Sequence, residues 1–235
     1  MSTQVDLGTV FKGSSSGKIV QAKGETVELK PDQVVIDIAY SGLCGSDLHF
    51  RKKGDMVLGH EGVGIISQVG KDVDFLKVGD RVGWGCNHNA CNYCKQCWNG
   101  VDTLCPHRAM YAMADSEFGS FGDRAVLSGY FVHKIPDDLP LKYAGPLQCG
   151  GATVYGAIVK AGARPIDRVG VVGLGGLGHL AVQYLNKMGC EVVVFSHSNS
   201  KKEEAKKLGA HEFVAVKENP EMKGVKPINH LLVST

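Results

Sequence analysis

The sequence has almost no excess of either charge. Its 26 Lys and Arg stand against 24 Asp and Glu, a net charge of +2. No block of Lys and Arg is interleaved with aromatics, so the chain carries no footprint for nucleic acid or an anionic membrane surface. It also lacks a long apolar run: no stretch approaches the ~20 residues that cross a bilayer. The N-terminus, MSTQVDLGTVFKGSSSGKIVQ, has no apolar segment of signal-peptide length behind a basic start. These absences predict a cytoplasmic protein with no membrane and no nucleic-acid partner. In a reducing compartment the eight cysteines are poorly explained by disulfides, and their spacing points to metal. With 235 residues, 43% of them hydrophobic, the chain can bury the core of one large or two modest domains.

What is present is concentrated chemistry. From Cys44 to Glu61 the chain reads CGSDLHFRKKGDMVLGHE, with a thiol, two imidazoles, a hydroxyl and carboxylates in one short segment. This reads as most of a catalytic zinc site, which typically uses three protein ligands and leaves a fourth position open. Cys44 and His60 would supply two ligands, and Cys149 is the candidate third. Glu61 is either a ligand in one catalytic state or an adjacent anion. A small buried thiol and a satisfied core histidine are the competing reading for such residues standing alone. Four more cysteines, Cys91, Cys94, Cys97 and Cys105 in ACNYCKQCWNGVDTLCPH, are separated by two, two and seven residues. Four thiolates close a zinc shell and leave no place for water, so this cluster should brace a lobe rather than catalyse. A redox-active C-x-x-C is the competitor. Cys86 is expected to be a bystander, and Trp98 and His107 to be packing or surface residues.

Short β-branched runs punctuated by turn residues fill the first part of the chain. KIVQAK and VVIDIAY come first, with Gly24 and Lys30-Pro31-Asp32 at the turns, followed by EGVGIISQVG and GDRVGW. Strand character returns over 119–135, and the whole predicts a barrel-like β fold. Ser14 to Gly17 reads as a polar loop, with phosphate binding as its second reading. After the turn from Pro136 to Pro140 a helical stretch begins near Leu141. A run of small and apolar residues then carries it past Cys149 and through Ala157 and Val159 into a second domain.

There, DRVGVVGLGGLGHLAVQYLNKMG gives a buried strand, a glycine turn and an amphipathic helix in succession. Gly173, Gly175 and Gly178 form G-x-G-x-x-G in the setting that makes it a dinucleotide-binding turn. The first glycine makes the tight turn, the second admits the pyrophosphate, and the third lets helix and strand pack closely. Gly176 and Leu177 complete the turn, whose helix-start amides face the phosphates. EVVVFS is a second strand. At its end, where NAD-binding chains usually carry an acid for the ribose hydroxyls, stand Ser196, His197, Ser198 and Lys201. A carboxylate repels a 2′-phosphate, whereas hydroxyls and an ammonium hold one, so NADP(H) is expected. A plain polar N-cap for the helix SKKEEAKKLGA is the alternative. HEFVAV and NHLLVST are two further strands.

Several of these marks occur together: Cys44-Gly45-Ser46-Asp47-Leu48-His49, G-H-E-x-x-G-x-x-x-x-x-G from Gly59 to Gly70, the four-cysteine lobe, Pro146-Leu147-Gln148-Cys149, and the glycine turn. From about Lys18 onward the chain resembles the zinc-dependent alcohol dehydrogenases of the medium-chain dehydrogenase/reductase family, most of all the cinnamyl alcohol dehydrogenase branch. The resemblance implies a mixed fold. Residues 1–150 would form a GroES-like, β-rich catalytic domain. Residues 151–235 would form a Rossmann-type, doubly wound parallel α/β sheet, incomplete at its C-terminus.

The resemblance further implies two Zn2+ per chain. One would be held by Cys44, His60 and Cys149 with Glu61 beside it and Asp47 orienting a ligand, the other by the four-cysteine lobe. It implies NADP(H)-dependent interconversion of a small aldehyde and a primary alcohol. Ser46 would pass the proton, with His49 as the outer relay, and Thr153 would lie near the nicotinamide. A homodimer is the family's usual assembly. Two departures stand against this pattern. The segment between Cys44 and His60 is shorter than is usual in the family, which alters a substrate-pocket loop. The sheet stops after its fourth strand, without the strands that carry nicotinamide contacts and the usual dimer edge. A truncated, catalytically inactive zinc- and nucleotide-binding module acting through interaction is therefore the alternative function.

Overall fold

Val34, Val35 and Ile36 form an unbroken apolar run, and all three are fully buried. Successive strand side chains point to opposite faces, so both faces of this strand must be covered. In the computed structural model, which describes residues 3–113 and 116–234, the run lies in β1 (Gln33–Ser41). β1 is followed by β2 (Gly62–Val69), β3 (Arg81–Trp84), β4 (Arg124–Ser128) and β5 (His133–Lys134). The five make one antiparallel sheet in the order β4-β1-β2-β3-β5. Val34 and Ile36 pack with Ile66, Val82, Trp84 and Leu127 on one face, and Val35 and Val126 pack with Val5 and Leu7 on the other. Three two-stranded ribbons accompany the sheet, pairing Gln4–Asp6 with Thr26–Glu28, Thr9–Lys12 with Val20–Lys23, and Asn87–Asn89 with Ala109–Met110. The barrel-like expectation thus resolves into one larger sheet and three ribbons, and KIVQAK pairs only from Val20 onward.

The sheet brings the first candidate site together. β1 carries two register shifts against β2, between Val35 and Ile36 and between Ile38 and Tyr40; irregularities of this kind bend a strand and re-aim its end. The chain then reaches Cys44 and α1 (Gly45–Phe50). His60 and Glu61 immediately precede β2. Gly62, the first residue of β2, is set by packing, because a Cβ there would lie 2.3 Å from the Trp84 ring.

The helix read from Leu141 through Cys149 is not continuous. One short turn spans Leu141–Ala144, a 3-10 turn spans Pro146–Gln148, and Cys149 sits at the break before α2 (Gly150–Lys160). Pro146 lacks an N–H and restricts the residue before it, so a helix cannot run through this position undisturbed. The chain divides here into two compact units, one ending at Cys149 and the other beginning at Gly150.

In the second unit β6 (Arg168–Val172), α3 (Gly178–Met188), β7 (Glu191–Ser196), α4 (Lys202–Lys207), β8 (Glu212–Ala215) and β9 (His230–Val233) follow in turn. The strands are parallel throughout, in the order β8-β7-β6-β9, which is the 3-2-1-4 core of a doubly wound Rossmann sheet. The inner strands β6 and β7 are buried on both faces, which is why they read as near-continuous valine runs. Val169, Val171, Val192 and Val194 pack on Ala181, Val182 and Leu185 of α3 and Ile158 of α2, while Val193, Phe195 and Val214 share the opposite face. The helix expected over SKKEEAKKLGA starts as a 3-10 turn at Asn199–Lys201 and is α-helical only over α4. Thr235, the last residue of the expected strand NHLLVST, lies outside the described residues. No helix among the described residues is long and apolar enough to cross a membrane.

Candidate metal centres and dinucleotide turn

His60 is fully buried, and its ring is fixed on two sides. Nδ1 lies 2.9 Å from Asp47 Oδ1, and the ring stacks on Tyr111 with centroids 4.8 Å apart. Nε2 has no hydrogen-bond partner among the described residues. A buried polar nitrogen in that condition calls for an explanation, of which an ion is one. Beside it lies a donor set: one donor atom from each of Cys44, His60, Glu61 and Cys149 falls within 4.8 Å of the others. Two thiols, an imidazole and a carboxylate suit a zinc-like cation. In the neutral, ligating form of the ring, with Nδ1 bound to a carboxylate, the hydrogen stays on Nδ1 and the lone pair on Nε2.

Asp47 ties this set to α1. Its Oδ2 accepts from the backbone N–H of Cys44 at 3.0 Å, closing the start of the helix, while Oδ1 accepts from the Tyr111 hydroxyl at 2.9 Å as well as facing His60. Burial pushes the Asp47 carboxyl up, but the His60 and Cys44 hydrogen bonds outweigh it and hold the group below the usual carboxylate range. Burial disfavours the His60 cation, yet Asp47 and Cys149 more than compensate and push it up to about 10. Cys149 is raised chiefly by its interaction with Cys86, which is itself lowered by that contact. A bound divalent cation reverses this proton inventory, since thiolate and neutral imidazole are the forms that ligate. Glu61 is buried too, and its side chain occupies the space beside Gly42, where a Cβ would meet Glu61 Oε2 and stand 3.0 Å from Glu61 Cβ.

Cys86 is in neither donor set, but it lies beside Cys149. A Cβ on Gly85 would lie 2.4 Å from the Gln148 carbonyl oxygen, so segment 85–86 runs directly against 148–149. Nothing in the local sequence marks Tyr111. Both residues meet the site through contacts distant in sequence, and no local spacing announces them. Ser46 and His49 stand three residues apart on α1, Ser46 half-buried and His49 exposed, which places them on one side of the helix. Neither side chain makes a hydrogen bond among the described residues.

In the lobe, the sulfurs of Cys91, Cys94, Cys97 and Cys105 all lie within 4.8 Å of one another. Cys105 Sγ accepts backbone N–H groups from Cys91 at 3.5 Å and His107 at 3.3 Å. Burial and the neighbouring thiols push Cys97 up to about 12. Against burial, the two backbone donors help hold Cys105 down at about 6. His107 is exposed. Trp98 is 78% exposed, a surface residue and not a packing one.

The second unit contains the glycine turn. Gly173 has φ +85, in the left-handed region that favours glycine. A Cβ on Gly178 would lie 1.9 Å from the Gly173 carbonyl oxygen, whereas Gly175 and Gly176 have nothing within 4 Å of theirs. The turn is tight where strand meets helix and open where a phosphate would approach, and Leu177 leads from it into α3. Ser196 ends β7, followed by His197 and Ser198. Ser198 Oγ lies 3.1 Å from Ser200 Oγ, and Lys201 Nζ is engaged by Glu204 at 2.7 Å. Thr153 is exposed on α2.

Two family models match the chain: the alcohol dehydrogenase GroES-like domain over residues 30–137 and the zinc-binding dehydrogenase over residues 176–227. The probable formaldehyde dehydrogenase AdhA of Bacillus subtilis (strain 168) is 40% identical over 213 residues, which cover 86% of this chain and 61% of that protein. The chain therefore spans about three-fifths of that relative's length. A cinnamyl alcohol dehydrogenase from Sorghum bicolor is similar in structure with a TM-score of 0.86 and 32% identity, over 100% of this chain and 70% of that one. The Helicobacter pylori CAD structure complexed with NADP(H) gives 0.84 and 28%, over 100% and 70%.

Proposed function

The chain belongs to the zinc-dependent alcohol dehydrogenases of the medium-chain dehydrogenase/reductase family, and on that premise we propose that it interconverts an aldehyde and a primary alcohol by hydride transfer with NADP(H). The observation that carries the proposal is the buried Nε2 of His60, without a hydrogen-bond partner among the described residues and grouped with donors from Cys44, Glu61 and Cys149. Cys44, His60 and Cys149 would hold the first Zn2+, with Glu61 either a ligand in one catalytic state or an adjacent anion, and Cys91, Cys94, Cys97 and Cys105 would hold the second. Zinc at the first site supplies a Lewis acid for the carbonyl oxygen.

The chain's own groups do the rest. Asp47 keeps the proton on Nδ1 of His60, so that Nε2 is presented as a ligand. The thiolates of Cys44 and Cys149 offset the charge of the dication. Ser46 hands a proton to the substrate oxygen in the reducing direction, and His49, exposed three residues further on, replenishes it from solvent. The four-cysteine lobe leaves no open position and braces its surroundings.

In the second unit the turn from Gly173 to Gly178, with Gly175, Gly176 and Leu177, receives the pyrophosphate at the start of α3. Ser196, His197 and Ser198, with no acid at the end of β7, favour a 2′-phosphate, in line with the NADP(H) complex of the Helicobacter protein. Lys201 joins them on release from Glu204, and Thr153 serves the nicotinamide side. The first unit is then the GroES-like catalytic domain and the second the cofactor domain, acting on small aldehydes and alcohols.

Metal analysis and a coupled assay test this reading. Two zinc ions per chain, one for each donor set, and aldehyde-dependent oxidation of NADPH faster than of NADH are expected. A chain that carries both zincs and binds NADPH but turns over no aldehyde would be an inert binding module instead.

A further inference from the structure

Tyr111 belongs to neither donor set, yet it holds the carboxylate that orients His60. Its hydroxyl donates to Asp47 Oδ1 at 2.9 Å and accepts from the Gly59 N–H at 2.9 Å. Its ring stacks on His60 and meets Phe50 of α1 edge-on, with centroids 5.5 Å apart. The residue is 5% exposed. Packing alone asks only for the ring, which phenylalanine would supply. The hydroxyl is what links Gly59, Asp47 and, through Asp47, His60.

The backbone shows where this clamp is anchored. Tyr111 N–H donates to the Cys86 carbonyl at 2.9 Å, next to the pairing of Asn87 with Met110. All four lobe cysteines lie between these two points in the chain, so Cys86 and Tyr111 form the neck of the lobe. Each neck residue reaches toward the other donor set. The segment ending at Cys86 runs against Gln148 beside Cys149, and Tyr111 contacts Asp47 and His60.

We propose that Tyr111 is a positioning residue for the site of Cys44, His60 and Cys149, and that through it the four-cysteine lobe sets the orientation of His60. The proposal rests on the metal reading of both donor sets given above. The hydroxyl restrains the Asp47 carboxylate, Asp47 restrains Nδ1–H, and Nε2 keeps the direction that ligation needs. Filling the lobe fixes its neck, so the two sites are linked, and linkage of affinities is reciprocal.

The test uses the full chain and Co2+, whose absorption distinguishes the two donor sets, in competition with a chelator. Wild type, Tyr111→Phe, Asp47→Asn and the double variant are compared. Tyr111→Phe is expected to weaken the site of Cys44, His60 and Cys149 by about 10-fold and to leave the four-cysteine site unchanged when it is filled with the first site empty. In the Asp47→Asn background the same substitution should add little, because the two side chains act as one unit. Unchanged affinity in Tyr111→Phe at full loading of both sites overturns the proposal, as do equal losses in both backgrounds, which mark a structural role only. A titration of the wild type needs no variant to fold: filling the lobe should raise the affinity of the other site by about 5-fold or more, and independent filling overturns the coupling. Cobalt bound at the lobe alone would sink the metal reading of the first site, and this proposal with it.

Discussion

A Cβ on Gly178 would collide with the carbonyl of Gly173, and backbone cannot yield as a side-chain tip can. Gly178→Ala should therefore open the turn and weaken NADPH binding at least about 10-fold, with a stability loss of about 1–3 kcal/mol. Gly176→Ala, at a position with nothing within 4 Å, should leave stability unchanged. Fluorescence titration of NADPH with thermal melts of both variants checks the pair, and a Gly178→Ala chain that binds like wild type refutes the close-packing role. His60 gives a proton-linked prediction. Its value, pushed up to about 10, lies above the ordinary 6.5, so the stability it lends the metal-free chain is full below about 6.5 and is lost as pH rises through about 10. Metal binding runs the other way and strengthens with pH, because the ligating form is neutral. Zinc titration near pH 7.5 in buffers of different ionisation enthalpy should show proton release, and none would contradict this linkage. At this scale Cys44, His60 and Glu61 were legible because they share one short segment. Tyr111 was not, because it meets Asp47 from 64 residues away.

Short strands declared themselves through β-branched runs, and the G-x-G-x-x-G turn through the strand and helix that flank it. The helix around Cys149 did not, because its small apolar run masked Pro146, and the break at that proline leaves Cys149 outside α2. The same local competition shapes the start of α4. Lys201 is drawn three residues forward to Glu204, so the ammonium expected to face a 2′-phosphate is partly neutralised by its own helix. An exposed pair of this kind is worth about 0.2–1 kcal/mol. Glu204→Gln should therefore lower the KM for NADPH by roughly 1.4- to 5-fold at low salt, an effect that fades as salt screens the charges, and leave the KM for NADH in place. Equal improvement with both cofactors would mean that Lys201 does not read the 2′-phosphate.

At the scale of the molecule, the change in composition near Cys149 marked the passage from short strands to an α/β pattern, and the two compact units meet in sequence between Cys149 and Gly150. Their proposed ligands differ in kind. Both metal donor sets lie in the first unit, and the dinucleotide turn lies in the second, so linkage should act on each separately. A ligand present at 100 times its Kd stabilises the state that binds it by about 2.7 kcal/mol. In a domain of fewer than a hundred residues each 1 kcal/mol moves the midpoint by about 4–8 °C, so NADPH at that level should raise the transition of the second unit by about 10–20 °C. Chelation of zinc should lower the other transition and leave this one where it was. Calorimetry of the zinc-loaded chain, with and without NADPH and then after chelation, separates the two responses. A single transition that moves with both ligands would show that the units unfold together, and stability at either site would then have to be assigned to the whole chain.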